Sequence, residues 1–171
     1  MRVYTIGHGQ TESTEFLDQL SKHGVTHVID IRLPAEAAST GDYHPDEIGL
    51  ELLVRGIRYA NMGETLGAAS HLSLDECERT RGNEDYRAGI MRLMQAVMDE
   101  ERVLCLLGID VRAERCTRSK LVGESLASSR ADVQHIEGDQ LVPHPAVMAR
   151  LAQQAYAQDE NFRGTRPTLR S

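Results

Sequence analysis

Residues 103–120 read VLCLLGIDVRAERCTRSK, and the succession of apolar, charged and again apolar segments in them decides the fold class. Val103 to Leu107 form a short apolar run, the pattern of a strand buried on both faces. Gly108 ends the run, and Asp110 to Arg115 are too polar to continue it. A helix is expected from about Glu114, with Leu121, Val122 and Leu126 as its apolar stripe. Four basic residues (Arg112, Arg115, Arg118, Lys120) and the thiol of Cys116 therefore gather where the carboxyl end of a strand meets the amino end of a helix. In open α/β sheets ligands bind at such places.

The same alternation runs through the rest of the chain. Val3 to Ile6 predict a strand broken by Gly7-His8-Gly9. Ser13 or Thr14 can cap a helix with Phe16, Leu17 and Leu20 on its apolar face, closed by Gly24. Val25 to Ile31 predict a second strand, rich in β-branched residues, with Asp30, Arg32 and a closing Pro34 at its end. Strand, helix and strand make a βαβ unit, so the strands should be parallel. Residues 35–45 are expected to be a loop. Asp46 can cap a helix through Leu50, Leu53 and Val54 that ends at Gly56, and Ile57 to Ala60 predict a short third strand.

Residues 61–83 are weakly patterned and suggest a short helix or lid around Leu72 and Leu74. Residues 84–100 form the clearest helix, with Tyr86, Ile90, Leu93, Met94 and Val97 at helical spacing and Met91 and Met98 widening the stripe. Val133 to Ile136 predict another strand, Asp139 and Gln140 a turn, and residues 145–157 a last helix. The expectation is a single domain over residues 1–160, a three-layer α/β/α sandwich on a mostly parallel sheet, followed by an Arg-containing tail over 161–171.

Composition narrows the function. The formal net charge of −7 repels polyanions, and aromatics make up only 4% of residues, which disfavours a stacking surface for single-stranded nucleic acid. Arg163, Arg166 and Arg170 in the tail keep nucleic acid open as a partner, although a solvated, frayed terminus is the simpler reading. The three cysteines have no metal-knuckle spacing, no run is apolar enough to span a membrane, and the amino end lacks a signal-peptide pattern. A cytoplasmic location follows as the expectation.

His8, Asp30, Arg32 and Asp110 each fall at or just past the carboxyl end of a predicted parallel strand, so one sheet edge can bring them together. His8 and Asp30 are candidates for proton transfer. Cys116 beside Arg115 and Arg118 at a helix amino end is a candidate nucleophile, because both surroundings favour a thiolate. Arg32, Asp110, Arg115 and Arg118 are candidates for holding substrate, since guanidinium pairs suit phosphate and carboxylate. His135 is a weaker candidate at another strand end, while His23, His27, His44, His71 and His144 show no ligand spacing. Cys105 belongs to the core, and Cys77, among acidic neighbours, is expected to be inert. No Walker-type loop and no complete GxGxxG follow a strand.

Taken together, these motifs resemble the family of bacterial and archaeal proteins called domain of unknown function 488. Its opening TIGHS is matched by Thr5-Ile6-Gly7-His8-Gly9, its DVR and nearby Pro by Asp30-Ile31-Arg32 and Pro34, and its Gly-Ile-x-Tyr strand by Gly56-Ile57-Arg58-Tyr59. Leu66-Gly67-Ala68 stands for its Leu-Gly-Gly segment. Leu106-Leu107-Gly108-Ile109-Asp110 aligns with its LLCxE strand, Cys116-Thr117-Arg118 with its CHR, and Val133-Gln134-His135-Ile136 with a later strand. The resemblance covers about residues 3–145 and implies a divergent member. Gly108 replaces the family's first Cys, Asp110 its Glu, and Thr117 its CHR His, so a mechanism needing two thiols or that His would lose a part.

The function expected is an anion-binding cleft at the carboxyl edge of the sheet, in an enzyme acting on a small, nucleotide-like molecule that bears phosphate or carboxylate. A binding module without turnover and a nucleic-acid-processing protein are the alternatives. The sequence specifies no cofactor, metal or oligomeric state.

Overall fold

The computed structural model describes residues 1–69 and 72–164, with side chains described as far as residue 157. Its strands are β1 (Arg2–Gly7), β2 (His27–Asp30), β3 (Arg58–Asn61), β4 (Leu104–Gly108), β5 (Asp132–Glu137) and β6 (Gln140–Pro143). They form one six-stranded sheet in the order β3-β2-β4-β1-β5-β6. All neighbours are parallel except β5 and β6, which pair antiparallel. Helices cover both faces, as the alternating sequence predicts.

β4 shows why the sheet has two cores. Successive side chains of a strand point to opposite faces. Leu104 and Leu106 pack with Leu93 and Val97 of α6 (Glu84–Val97) and with Leu121, Val122 and Leu126. Cys105 and Leu107 pack on the other face with Phe16, Leu17 and Leu20 of α1 (Ser13–Lys22) and with Ile48 and Leu52 of α3 (Pro45–Val54). All of β4 is buried, as its unbroken apolar run requires. Connections stepping one way along the sheet lie on the α1/α3 face, and those stepping the other way lie on the α6 face, as a single crossover hand demands.

Several local expectations are corrected. The cap of α1 is Glu12, so Ser13 is already helical. Pro34 opens a short helix, α2 (Pro34–Ala38), where its fixed φ suits the first helical position. A 3₁₀ turn at Gly41–Tyr43 follows within the expected loop. His44, not Asp46, caps α3, and its ring accepts from the Asp46 N–H. Leu50, Leu53 and Val54 face outward, as do Met91 and Met98. Between β3 and α6 lie α4 (Gly63–Leu66) and α5 (Leu74–Arg81), the latter opened by a Ser73/Glu76 capping box. The expected turn at Asp139 and Gln140 sits one residue earlier, on Gly138 with φ 59°, and Gln140 starts β6.

After β4 the helix starts later than predicted. Ala113–Arg115 make a 3₁₀ turn, and Cys116 is extended (φ −118°, ψ 143°). A helix then runs over 117–128, wound with wide π turns through Arg118–Gly123 and ending as α7 (Glu124–Ser128). The last helix, α8 (His144–Gly164), runs past the expected domain boundary. The side chain of Arg163, and His71, Arg166 and Arg170 entirely, lie outside the described residues. No helix among the described residues is long and apolar enough to cross a membrane.

Candidate functional site

β1 and β4 are neighbours whose connections leave to opposite faces, the arrangement that opens a crevice at their carboxyl ends. Here that crevice is closed. His8 N–H donates to the Gly108 carbonyl (3.2 Å) and Gly9 N–H to that of Ile109 (2.7 Å), so the strand pairing continues into the loops. The guanidinium of Arg118 seals them from behind. Its Nη1 donates to the Asp110 carbonyl, its Nη2 to that of Val111 (2.9 Å) and its Nε to the Thr5 hydroxyl (3.1 Å).

Two glycines make room for this. A Cβ at Gly7 would collide with the Asp110 backbone oxygen, and one at Gly108 would lie 2.9 Å from Cys116 Sγ and 3.0 Å from Arg118 Cδ. The open cleft lies instead between the ends of β2 and β4. Ile31, Arg32 and Glu36 line one side, Gly108, Ile109 and Cys116 to Arg118 the other, with Ala68 between. Its free volume is about 10 Å³, room for about one water molecule, so a larger group would sit at its mouth. Thr117 Oγ1 donates to the Ala68 carbonyl (3.0 Å) and fixes the flank.

The candidate residues meet different fates. Asp30 and Arg32 form a two-pronged ion pair (Nε–Oδ1 2.9 Å, Nη2–Oδ2 2.6 Å), with both side chains fully buried. Asp30 also accepts from the Arg32 N–H (3.0 Å) and the Tyr59 hydroxyl (2.7 Å). Each carboxylate oxygen thus holds two donors, and Asp30 serves to orient Arg32. Burial, and then the Asp30 carboxylate, push the Tyr59 phenol upward.

His8 is buried and stacks on Tyr43 with centroids 4.4 Å apart. Its Nδ1 lies 3.0 Å from the Gly9 carbonyl and must donate to it, which leaves Nε2 as a buried acceptor without a partner. Burial first, then the charge of Arg32, lower its affinity for a proton. His8 does not line the cleft.

Asp110 contributes its backbone oxygen, not its carboxylate, and Arg115 is exposed away from the cleft. The expected four-residue basic cluster is dispersed: Arg112 pairs with buried Glu114 (3.2 Å), and Lys120 donates to the Leu72 carbonyl (3.0 Å). The reason is the extended break at Cys116, which puts Arg112 and Arg115 on a separate turn from Arg118. Arg150 then joins Glu114 to Glu137, whose carboxylate also accepts from the Ala113 N–H, and so anchors that turn. Cys116 and Arg118 do line the cleft. Cys105 and Cys77 are buried elsewhere, and burial raises both thiols.

The chain matches no family model, no curated protein and no solved structure. The site therefore stands on its own geometry. That geometry adds residues the sequence reading missed. Glu36 lines the mouth, and its position in the first turn of a Pro34-led helix was the available signal. Thr5, inside β1, stood only as the first residue of the Thr5-Ile6-Gly7-His8-Gly9 motif, with no role attached. Among the described residues, no three His, Cys, Asp or Glu side chains converge to hold a metal ion.

Proposed function

We propose that the protein binds a small oxyanion group, phosphate or carboxylate, in the cleft between β2 and β4, and acts on it through Cys116. One observation carries the reading. Arg118 is 0% exposed, lines the cleft, and among the described residues has no carboxylate within ion-pair distance. A buried charge without a partner is strongly destabilising, and an anion in the cleft would supply the missing one. Three of its five N–H groups hold Thr5, Asp110 and Val111, which leaves one on each terminal nitrogen. Two such N–H groups suit the oxygens of one phosphate or carboxylate. Arg32, neutralised by Asp30, adds shape more than charge.

Cys116 lies in the same lining, at the amino end of the 117–128 helix, whose first N–H groups have no partner within the helix. It is the nucleophile the cleft offers, and Glu36 at the mouth is the lining group able to exchange a proton. The small volume and the net charge of −7 disfavour nucleic acid. Membership of the domain of unknown function 488 family is proposed on the motif order alone. A binding module without turnover is the second reading. The saturation of Asp30 and the position of His8 favour it, since neither expected proton carrier faces the cleft.

Thermal melting with phosphate, phosphomonoesters and small carboxylates tests the site. At a hundredfold excess over Kd, binding adds about 2.7 kcal/mol, a rise of roughly 5–10 °C for a chain of this size. Arg118→Gln should abolish the rise. Melting unchanged by every anion overturns the reading. Turnover of a bound ester that Cys116→Ser removes selects the enzyme; binding without turnover selects the module.

A further inference from the structure

A file of hydrogen-bonded side chains leads from Arg118 to the partly exposed carboxylate of Glu124. Arg118 Nε donates to Thr5 Oγ1 (3.1 Å), and Thr5 Oγ1 lies 2.7 Å from His135 Nδ1 on β5. His135 Nε2 lies 2.9 Å from Nδ1 of His144, the first residue of α8. His144 Nε2 lies 2.9 Å from Oε2 of Glu124, the first residue of α7. Thr5 and His135 are wholly buried and His144 nearly so, while the Glu124 side chain is 34% exposed. The wide turn through Arg118–Gly123 makes the file possible. It brings Gly123 against the His144 ring, where a Cβ would lie 3.3 Å from Cε1 and 2.9 Å from the Arg118 carbonyl.

With neutral imidazoles, the direction of every bond follows from the two ends. An arginine Nε–H can only donate, and an ionised carboxylate can only accept. Thr5 therefore accepts from Arg118 and gives its proton to His135 Nδ1. His135 donates from Nε2 to His144 Nδ1, and His144 from Nε2 to Glu124. In this order each imidazole carries its proton on Nε2. Burial, and next the charge of Arg118, hold His135 far below its ordinary value, at about 3. The order of groups looks like that of a nucleophile with its base and orienting acid. Thr5, however, is buried and does not line the cleft, so no substrate bound there reaches its hydroxyl.

We propose that Glu124, His144 and His135 are positioning residues for the cleft: acting through Thr5, they fix the orientation of the Arg118 guanidinium that receives the anion. The proposal rests on reading the cleft as an anion site. Glu124 is the distant countercharge at the end of the file.

The test uses inorganic phosphate and acetate as probes, on wild type, Thr5→Val, Thr5→Ser and Glu124→Gln. Affinity is read by calorimetry, and the imidazole and Arg118 Nε–H states by nitrogen-15 NMR. Wild type should show both imidazoles protonated on Nε2 and a slowly exchanging Arg118 Nε–H. Thr5→Val keeps the shape of the side chain but removes the acceptor. It should weaken anion binding about tenfold, the loss of one charge-assisted hydrogen bond, and speed exchange at Nε. Thr5→Ser should restore both. Glu124→Gln, at the partly exposed end, should mix the tautomers and weaken binding by about threefold or more. Equal anion affinity in wild type, Thr5→Val and Glu124→Gln overturns the inference and leaves the anion cleft standing. No binding of either probe to wild type overturns the anion reading itself, and the inference with it.

Discussion

Asp30 illustrates at the residue scale how a sequence can mark the right place and the wrong task. Its position at a strand end was legible, and so was that of Arg32 beside it. Which of two readings holds, a structural Asp30–Arg32 ion pair or side chains turned to a ligand, was not, because side-chain direction after a strand depends on what packs above it. Asp30→Asn leaves Arg32 buried without its partner. It should cost about 3–5 kcal/mol of stability, to be measured by urea unfolding. Cys116 and Arg118 were legible as a pair near a helix start, but the inward reach of Arg118 to Thr5 depends on a contact across 113 positions of sequence. Alkylation tests the surroundings of Cys116 directly. Cys77 and Cys105 are 0% exposed with their thiols raised, whereas Cys116, also buried but 5% exposed, lines the cleft, so modification should occur at Cys116 alone. The anionic reagent iodoacetate should gain on neutral iodoacetamide, relative to their rates with a free thiol, and phosphate should protect. A rate ratio at or below that of the free thiol counts against an anion-attracting cleft.

At the scale of elements, those with a strong period or an unbroken apolar run could be read closely. β4 and α6 are the examples. Those defined by a few residues could not. β6 and α2 are too short to show a period, and Pro34 opens a helix where it was expected only to close a strand. The Ser73/Glu76 capping box was visible in the sequence and marks the start of α5, expected there only as a short helix or lid around Leu72 and Leu74. Two glycines give a graded prediction here. A Cβ at Gly7 meets a backbone oxygen, whereas one at Gly108 meets the more yielding ends of Cys116 and Arg118. Gly108→Ala should cost about 1–3 kcal/mol, as overpacking usually does, and Gly7→Ala should lower Tm further. Because it displaces Arg118, Gly108→Ala should also weaken phosphate binding while the chain still folds.

For the whole molecule, the α/β class followed from alternation alone, but the strand order did not, since nothing local says that β4 lies between β1 and β2. Stability against pH is a property at this scale. The native state holds His135 at about 3, and burial lowers His8 as well. The unfolded chain binds these protons near pH 6.5. The stability His135 contributes is therefore present above that pH and is lost as pH falls toward its folded value. The loss runs at up to about 1.4 kcal/mol per pH unit. Urea unfolding between pH 7 and 4 should show the decline, and His135→Gln should flatten it by about one proton; an unchanged slope would contradict the assignment. The strand order also has a consequence in time. During synthesis β1, β2 and β3 emerge first, yet β1 and β2 share no hydrogen bond, and the strand that joins them ends only at Gly108. No amino-terminal fragment short of it can close the centre of the sheet. Pairings this distant in sequence are slow to form, so the newborn chain waits with two open strand edges, and the ligand cleft is among the last parts to exist.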